Sequence, residues 1–298
     1  MSIEKKLIIV HKPLSEVSIS HIENKYLDIH YAETSPSQTM DIYLPSKGEG
    51  PFPVILHVHG GAFKMCDKRD IQVEPFLDGL SRGYAVVSIN YRMSGEEIFP
   101  AAVFDCKCAV RFIKANAAKY NLDKDKIAAV GGSAGGHLSV MLAATPHIAD
   151  LEDLNLGWSD YSSEIHGCVD WYGPMDFLLM DKQLEENGLG PLDHNNIDSP
   201  ESEYLGGQIT KLDYSYVKQS NPITYITNQF PPILIQHGDK DHLVPYQQSQ
   251  LLYDEIKRSV SNADVTFDIL KGQDHADSGF ITQKNMERVF SFLKRVLK

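Results

Sequence analysis

The chain has 298 residues, of which 42% are hydrophobic and 23% are charged, a balance typical of a globular protein with a sizeable core. Its formal net charge of −12 argues against nucleic acid or an anionic membrane as a partner, because an acidic surface repels both. No apolar run reaches the roughly 18 residues of a membrane span, and the short apolar run within Met1–Val10 predicts no secretory signal, so we expect a cytoplasmic protein.

Short β-like runs alternate with helical patterns along most of the chain. Two extended stretches, 26–32 and 39–44, predict an antiparallel hairpin at a sheet edge. The apolar run 54–59 predicts a strand that is covered on both faces. The elements predicted after it are, in chain order, a helix near 71–82, a strand at 84–89, a helix at about 101–119, a strand at 127–130 followed by a helix through 144, strands at 166–172 and 233–237, a helix at 246–258, a strand at 265–270 and an amphipathic helix at 284–297. Right-handed crossovers between such strands predict a mostly parallel central sheet with helices on both faces.

One segment departs from this alternation. Residues 176–227 are polar, rich in Gly, Pro, Asn and Asp, and carry no strong strand pattern. A plain loop of roughly 50 residues is unusual in a compact domain, so we expect short helices over the C-terminal edge of the sheet, where open α/β sheets bind substrates. The chain is therefore predicted to be a single domain, 1–298, with a cap-like insertion.

The cysteines are too few and too scattered for a disulfide framework. Cys106 and Cys108 are separated by one residue in a helical pattern, so their side chains point in different directions. The acidic residues show no spacing of a known metal site either. We expect free buried thiols, no metal and no cofactor.

The sharpest catalytic signal is the sequence Gly-Gly-Ser-Ala-Gly-Gly at 131–136, which satisfies G-x-S-x-G between a predicted strand and a predicted helix. A serine on a tight strand-to-helix turn needs small neighbours, because bulky ones would clash. The N-terminus of the helix also stabilises negative charge that develops beside Ser133. A glycine-rich turn or a phosphate-binding loop is the alternative, but the lysine and the G-x-G-x-x-G spacing of such loops are missing.

A second signal is His-Gly-Gly-Ala-Phe at 59–63, at the end of the buried strand. Acyl transfer creates an oxyanion, and each preorganised donor toward it is worth about 3–4 kcal/mol. Because little side-chain bulk surrounds these backbone N–H groups, we expect those of Gly61 and Ala62 to converge with that of Ala134 on one oxygen. A simple Gly-Gly turn is the alternative interpretation.

A serine hydroxyl needs an adjacent base, and twelve histidines compete for this role. His275 lies in a polar loop between the last predicted strand and the last helix, from which it can approach Ser133 over the sheet edge. The acid that orients this base should follow a strand between the two residues. Spacing alone leaves Asp239 and Asp241 as equal candidates.

These residues together resemble the α/β-hydrolase-fold serine esterases related to hormone-sensitive lipase, and the bacterial carboxylesterases and acetyl-xylan-type esterases beside them. The resemblance runs from about residue 38 onward and includes 59–63, Asn90-Tyr91-Arg92, 131–136, Trp171-Tyr172-Gly173-Pro174, His237-Gly238 and Val244-Pro245. It implies that Asp241, which precedes x-x-V-P, is the acid and that His275 is the base. Two departures are Ala62 in place of a third glycine and an N-terminal part of only about 35 residues, which favours the smaller carboxylesterases.

The resemblance implies a serine carboxylesterase that hydrolyses short-acyl, acetyl-type esters of small molecules through an acyl-enzyme intermediate. Phe63, Trp171 and Tyr172 are expected to wall its pocket together with 176–227, although Phe63 and Trp171 fit a core role equally well. An arylformamidase-like amide hydrolase and a catalytically inactive hydrolase-fold binding protein are the alternatives. Edge strands and C-terminal helices allow a homodimer.

Overall fold

The computed structural model describes residues 13–298, and the interpretation of Met1–Val10 as free of a secretory signal lies outside them. Its centre is an eight-stranded sheet with the strand order β1-β2-β4-β3-β5-β6-β7-β8. The strands are β1 Lys25–His30, β2 Thr39–Tyr43, β3 Phe52–Val58, β4 Ala85–Ile89, β5 Leu122–Gly132, β6 Gly167–Trp171, β7 Ile233–Gly238 and β8 Val265–Leu270. Strand β2 pairs antiparallel with β1 and β4, and every other pairing is parallel. The predicted mostly parallel sheet with an antiparallel edge hairpin is confirmed.

The helices follow the predicted alternation with one break. They are α1 Glu74–Leu77, α2 Ala101–Ala115, α3 Ala117–Tyr120, α4 Ala134–Ala144, α5 Met180–Asn187, α6 Pro200–Leu205, α7 Tyr214–Gln219, α8 Gln247–Ser259 and α9 Gln283–Leu297. The single helix predicted at 101–119 is wrong, because the chain leaves helical geometry at Asn116. Both the backbone N–H and the side-chain amide of Asn116 donate to the Phe112 carbonyl, which ends α2.

Strand β5 is much longer than the predicted stretch 127–130. The charged residues 123–126 hid its first half, since they show no apolar alternation. The strand nevertheless begins at Leu122, which pairs with Phe52 of β3 across a register shift. Backbone pairing with a neighbouring strand, rather than local pattern, therefore sets the start of β5.

Two apolar clusters sandwich the sheet. Along β3, Val54, Leu56 and Val58 belong to the cluster on one face and Ile55 belongs to the cluster on the other. Successive side chains of a strand point to opposite faces, so a strand this apolar must be covered on both. Helices α2 and α4 contribute to the first cluster and α9 to the second, which confirms the prediction of helices on both faces.

Residues 176–227 contain the short helices α5, α6 and α7. This segment reaches the loops that follow two strands of the sheet. Nε2 of His194 lies 2.9 Å from the Leu243 carbonyl, beyond β7, and Lys64, beyond β3, forms a 2.8 Å salt bridge with Glu203. The contacts lie at the carboxyl ends of parallel strands, and the division into one domain with a cap stays a prediction.

Three further features bear on the sequence analysis. Cys66, Cys106, Cys108 and Cys168 are all free and buried, as predicted. Among residues 13–298, no helix combines the length and apolar content that a membrane span requires. Within the same range, no three His, Cys, Asp or Glu side chains are grouped in a way that could hold a metal ion.

Candidate active site

Ser133 occupies the sharp turn between β5 and α4. Its backbone has φ 56° and ψ −125°, a left-handed conformation that a serine adopts only at a cost. Its N–H donates to the Trp171 carbonyl at 2.9 Å, which ties the turn to the end of β6. A Cβ atom at Gly135 would collide with the Val58 carbonyl oxygen, so only glycine lets α4 start this close to β3. The turn thus holds a strained serine at the C-terminal edge of the sheet.

Asp241 and His275 form a close pair beyond the ends of β7 and β8. Oδ2 of Asp241 lies 2.7 Å from Nδ1 of His275, and Oδ1 accepts the N–H groups of Leu243 and Val244 at 2.9 and 2.8 Å. The Asp241 side chain is fully buried. Because an ionised carboxylate only accepts hydrogen bonds, Nδ1 must carry the ring proton, and Nε2 keeps the lone pair that a general base needs.

A second histidine contacts the same carboxylate and was missed as a site residue by the sequence analysis. Nε2 of His237 lies 3.2 Å from Oδ2 of Asp241 and 2.7 Å from the Val244 carbonyl, while Nδ1 lies 2.7 Å from the Ser249 hydroxyl. Burial alone raises the pKa of Asp241, but hydrogen bonds from His237 and His275 outweigh it and hold that pKa well below its ordinary value. The Asp241 carboxyl is therefore ionised at neutral pH.

Asp239, the other candidate acid, has a different role. Its carboxylate accepts the N–H of Gly272 at 2.6 Å and lies 3.2 Å from Nζ of Lys271. These contacts join the turn after β7 to the turn after β8, the local shaping role expected of an Asp in a turn. The structure thus brings Asp241, and not Asp239, to His275.

The chain neighbours of Ser133 and of His275 line the same cavity. The ring of Tyr172 is 4.6 Å from the His275 ring between centroids, and its hydroxyl would be 2.8 Å from a Cβ at Gly132, next to Ser133. Gly132 and Ala276, one residue from Ser133 and His275 respectively, both line the cavity. Among the described residues no hydrogen bond joins the Ser133 hydroxyl to the imidazole, and such bonds are often long before substrate binds.

The loop after β3 has an unusual backbone. Gly61, Ala62 and Phe63 have φ values of 110°, 53° and 59°, so two non-glycine residues adopt left-handed geometry in succession. The N–H of Gly60 donates to Oε1 of Gln72 at 2.8 Å. Strained backbone of this kind persists only where surrounding contacts hold it, and it is concentrated at functional sites.

The predicted oxyanion donors lie in and beside this loop. Within residues 13–298, the N–H groups of Gly61, Ala62 and Ala134 donate no hydrogen bond. The loop touches the serine turn, since a Cβ at Gly60 would be 3.5 Å from the Cβ of Ser133. Three unpaired donors therefore flank the serine, and their convergence on one oxygen stays a prediction.

Two of the three predicted pocket residues line the cavity beside Ser133, whereas no residue of the segment 176–227, which was also expected to wall it, is among the lining residues. This cavity has a volume of about 190 Å³, and Trp171 and Tyr172 form part of its wall. The Trp171 indole N–H donates to Oε1 of Gln236 at 2.8 Å, which fixes the ring. A larger cavity of about 570 Å³, beside Ile22 and Lys47, holds none of the predicted site residues.

Phe63, the third predicted pocket residue, lies elsewhere. Its side chain is 2% exposed and stacks on Tyr204 with a centroid distance of 4.1 Å. Phe177 and His137 approach the same ring edge-on. Phe63 does not line the cavity and packs within a buried aromatic cluster, so the core role accounts for its position.

The comparisons with known proteins agree with this geometry. The BD-FAE family matches residues 40–256, a range that includes Ser133 and Asp241 and ends before His275. A probable carboxylic ester hydrolase of Mycobacterium tuberculosis, LipM, is 32% identical over 252 residues, which are 84% of this chain and 55% of LipM. The chain thus spans about half the length of the curated relatives it matches.

Two solved structures resemble the whole described chain. A truncated carbohydrate esterase from gut microbiota has a TM-score of 0.82 and 29% identity, covering 94% of this chain and 99% of its own. A bifunctional GH43-CE protein of Bacteroides eggerthii has a TM-score of 0.80 and 30% identity, covering 93% of this chain and 38% of its own. These likenesses confirm the α/β-hydrolase fold. The chain belongs to the BD-FAE family and has the α/β-hydrolase fold.

Proposed function

We propose that this chain is a serine carboxylesterase that hydrolyses short-acyl, acetyl-type esters of small molecules through an acyl-enzyme intermediate. The observation that carries the proposal is the Asp241–His275 pair, 2.7 Å apart, next to a cavity that is lined by Ala276, the residue after His275, and by Gly132 of the strained Ser133 turn. In this scheme Ser133 is the nucleophile, His275 the general base and Asp241 the acid that orients it.

The reaction begins when Nε2 of His275 takes the hydroxyl proton of Ser133 and Oγ attacks the ester carbonyl carbon. The carbonyl π electrons move to oxygen and form a tetrahedral oxyanion. Asp241 stays ionised and stabilises the imidazolium. The C–O bond to the alcohol then breaks as the imidazolium returns the proton to the leaving oxygen. Water repeats the sequence on the acyl-enzyme, which releases the acid and restores Ser133.

The oxyanion requires donors that are in place before charge develops. The free N–H groups of Gly61, Ala62 and Ala134 flank Ser133 and need no reorganisation of other hydrogen bonds to serve. The N-terminus of α4 adds a favourable field for negative charge at the same place. These features support acyl transfer over a phosphate-binding role for the glycine-rich turn.

The size and walls of the site support a small acyl group. The cavity of about 190 Å³ is bordered by aromatic and aliphatic side chains, including Phe76, Trp171 and Tyr172. The family resemblance places a glycine where this chain has Ala62, and we expect the added methyl group to favour a small acyl group. One relative of similar structure is named a carbohydrate esterase, and acetylated sugars are therefore among the esters that we propose to test.

Nitrophenyl esters of acetyl, butyryl, octanoyl and dodecanoyl chains test the proposal, together with acetylated sugars. We expect kcat/KM to be highest for acetyl and butyryl and to fall by at least about 10⁴-fold in Ser133→Ala. Ser139→Ala is the matched control, because it removes a buried hydroxyl of α4 that has no hydrogen-bond partner within residues 13–298. Higher efficiency on octanoyl and dodecanoyl esters contradicts the acyl preference, and undiminished hydrolysis by Ser133→Ala contradicts the nucleophile.

A further inference from the structure

The side chain of Gln72 connects the loop after β3 to the rest of the protein. Its Oε1 accepts the N–H of Gly60 at 2.8 Å, and its Nε2 donates to Oδ1 of Asp70 at 3.1 Å. The carboxylate can only accept, so the amide orientation is fixed and Oε1 must be the atom that faces Gly60. Gln72 also lines the cavity beside Ser133.

Asp70 holds Gln72 from behind. Its side chain is 2% exposed, and Oδ2 accepts the N–H of Leu14 at 2.7 Å. The backbone on either side is also fixed, because Ile71 N–H donates to the Ser15 carbonyl at 2.7 Å. The Gln72 amide that accepts the Gly60 N–H is therefore itself held in place by Asp70 and by the backbone beside it.

The contact with Gln72 decides which N–H groups of the loop stay free. Gly60 N–H is occupied, whereas the next two, of Gly61 and Ala62, donate to nothing within residues 13–298. Gly60 itself is closely enclosed, since a Cβ there would be 2.7 Å from the Gly132 carbonyl oxygen, 3.0 Å from Oε1 of Gln72 and 3.5 Å from the Cβ of Ser133. The loop is thus held at a fixed distance and rotation relative to the serine.

We propose that Gln72 is a positioning residue, which fixes the His59–Gly60 peptide at the start of the loop so that the next two N–H groups, of Gly61 and Ala62, face the developing oxyanion. This role rests on the proposed function. It is distinct from substrate binding, because Gln72 acts through the backbone of Gly60. Without Oε1, the Gly60 N–H loses its acceptor, and the His59–Gly60 peptide keeps the hydrogen bond from the Tyr91 hydroxyl to the His59 carbonyl but is held less firmly.

Gln72→Met tests this role, since methionine has a similar length and removes both hydrogen bonds. We expect kcat to fall about 10- to 100-fold, less than the loss of a whole oxyanion donor, with KM changed little. The affinity for a trifluoromethyl ketone, whose hemiketal carries an oxyanion, should fall by the same factor as kcat/KM. Gln72→Glu keeps an acceptor oxygen toward Gly60 and should retain more activity than Gln72→Met. Gln250→Met is the matched control, because the Gln250 side chain donates to Asp254 on its own helix, α8, and contacts no part of the predicted site.

An unchanged kcat and inhibitor affinity in Gln72→Met overturns the role of Gln72. Equal losses of inhibitor affinity and kcat/KM in Gln72→Met, absent in Gln250→Met, support it. If Gln72→Met does not fold, Gln72→Glu is measured in its place. Full loss of kcat in Gln72→Glu, at an unchanged unfolding midpoint, overturns the role of the acceptor oxygen. If the unaltered protein hydrolyses no ester, the proposed function itself is contradicted. This outcome differs from an active protein in which Gln72→Met has no effect, which overturns only the role of Gln72.

Discussion

The Asp241 carboxylate faces four N–H groups, two from the backbone and two from imidazole rings. Burial of a carboxylate without such partners would destabilise the fold, because its desolvation free energy would not be offset by hydrogen bonds. Because its pKa lies below the ordinary value of about 3.9, Asp241 stabilises the fold above that pH. This contribution is lost as the pH falls toward the lowered pKa.

His237 is expected to matter for catalysis without touching substrate. His237→Leu removes one N–H from the Asp241 carboxylate, and a hydrogen bond to a charged group is worth about 1.5–3 kcal/mol. We expect kcat/KM to fall roughly 10- to 150-fold, as this energy converts at 1.36 kcal/mol per tenfold. Steady-state kinetics on acetyl esters measure the effect.

His237→Gln is the matched comparison, because its amide N–H can replace Nε2 as a donor to Asp241. It should retain more activity than His237→Leu at a similar unfolding midpoint by circular dichroism. Full activity in His237→Leu would show that the second imidazole does not support the acid.

The sequence alone could identify some residues of the candidate site and not others. Ser133 could be identified from the local sequence, because the sharp turn that holds it requires glycine neighbours. Asp241 could not be separated from Asp239 by spacing, since which carboxylate faces His275 depends on the path of a turn, and only the family resemblance indicated the choice. His237 ends a buried strand, and nothing local distinguishes a packing histidine from one that contacts the acid.

At the scale of elements, the segment 176–227 is fixed to the acid loop by His194. Its Nε2 lies 2.9 Å from the Leu243 carbonyl and its Nδ1 lies 3.1 Å from Oε2 of Glu201, so both ring nitrogens face acceptors. Burial lowers the pKa of His194, but these partners outweigh burial and raise it above the ordinary value of about 6.5. The protonated ring is therefore the form that joins the two elements.

We predict that this attachment weakens as the pH rises. A histidine with a raised pKa contributes its full stability below about pH 6.5, and the contribution is lost as the pH passes the raised value. Hydrogen exchange of residues 188–197, corrected for intrinsic rates, should show falling protection between about pH 5.5 and about pH 9. His194→Gln should abolish this dependence, and His147→Gln, at an exposed position, should leave it intact. Equal protection across the range would contradict the prediction.

Elements with a strong apolar pattern were predictable, and those set by distant contacts were not. β3, β4 and α9 follow their patterns because burial alone dictates them. The start of β5 depends on pairing with Phe52, and the end of α2 depends on the Asn116 amide, so neither leaves a clear periodic signal. The short helices of 176–227 are too brief for periodicity to reveal their bounds.

At the scale of the molecule, a parallel sheet explains why Ser133, Asp241 and His275 lie at the same edge. They follow β5, β7 and β8, and parallel strands place their carboxyl ends at one edge. The alternation of strands and helices in the sequence was enough to predict this edge, because the position of the edge depends only on the direction and connection of the strands. The register between strands and the conformation of the loops required coordinates, since non-local packing sets them. The cytoplasmic location and the homodimer stay predictions.

The mass of the intact protein after reaction with an alkyl fluorophosphonate tests the central claim most directly. Oγ of Ser133 should displace fluoride and form one O–P bond per chain, located by peptide mapping. Ser133→Ala should show no adduct, and His275→Gln should react at least about 10³-fold more slowly, since the base would be gone. An adduct on another residue, or an undiminished rate in His275→Gln, would contradict the account.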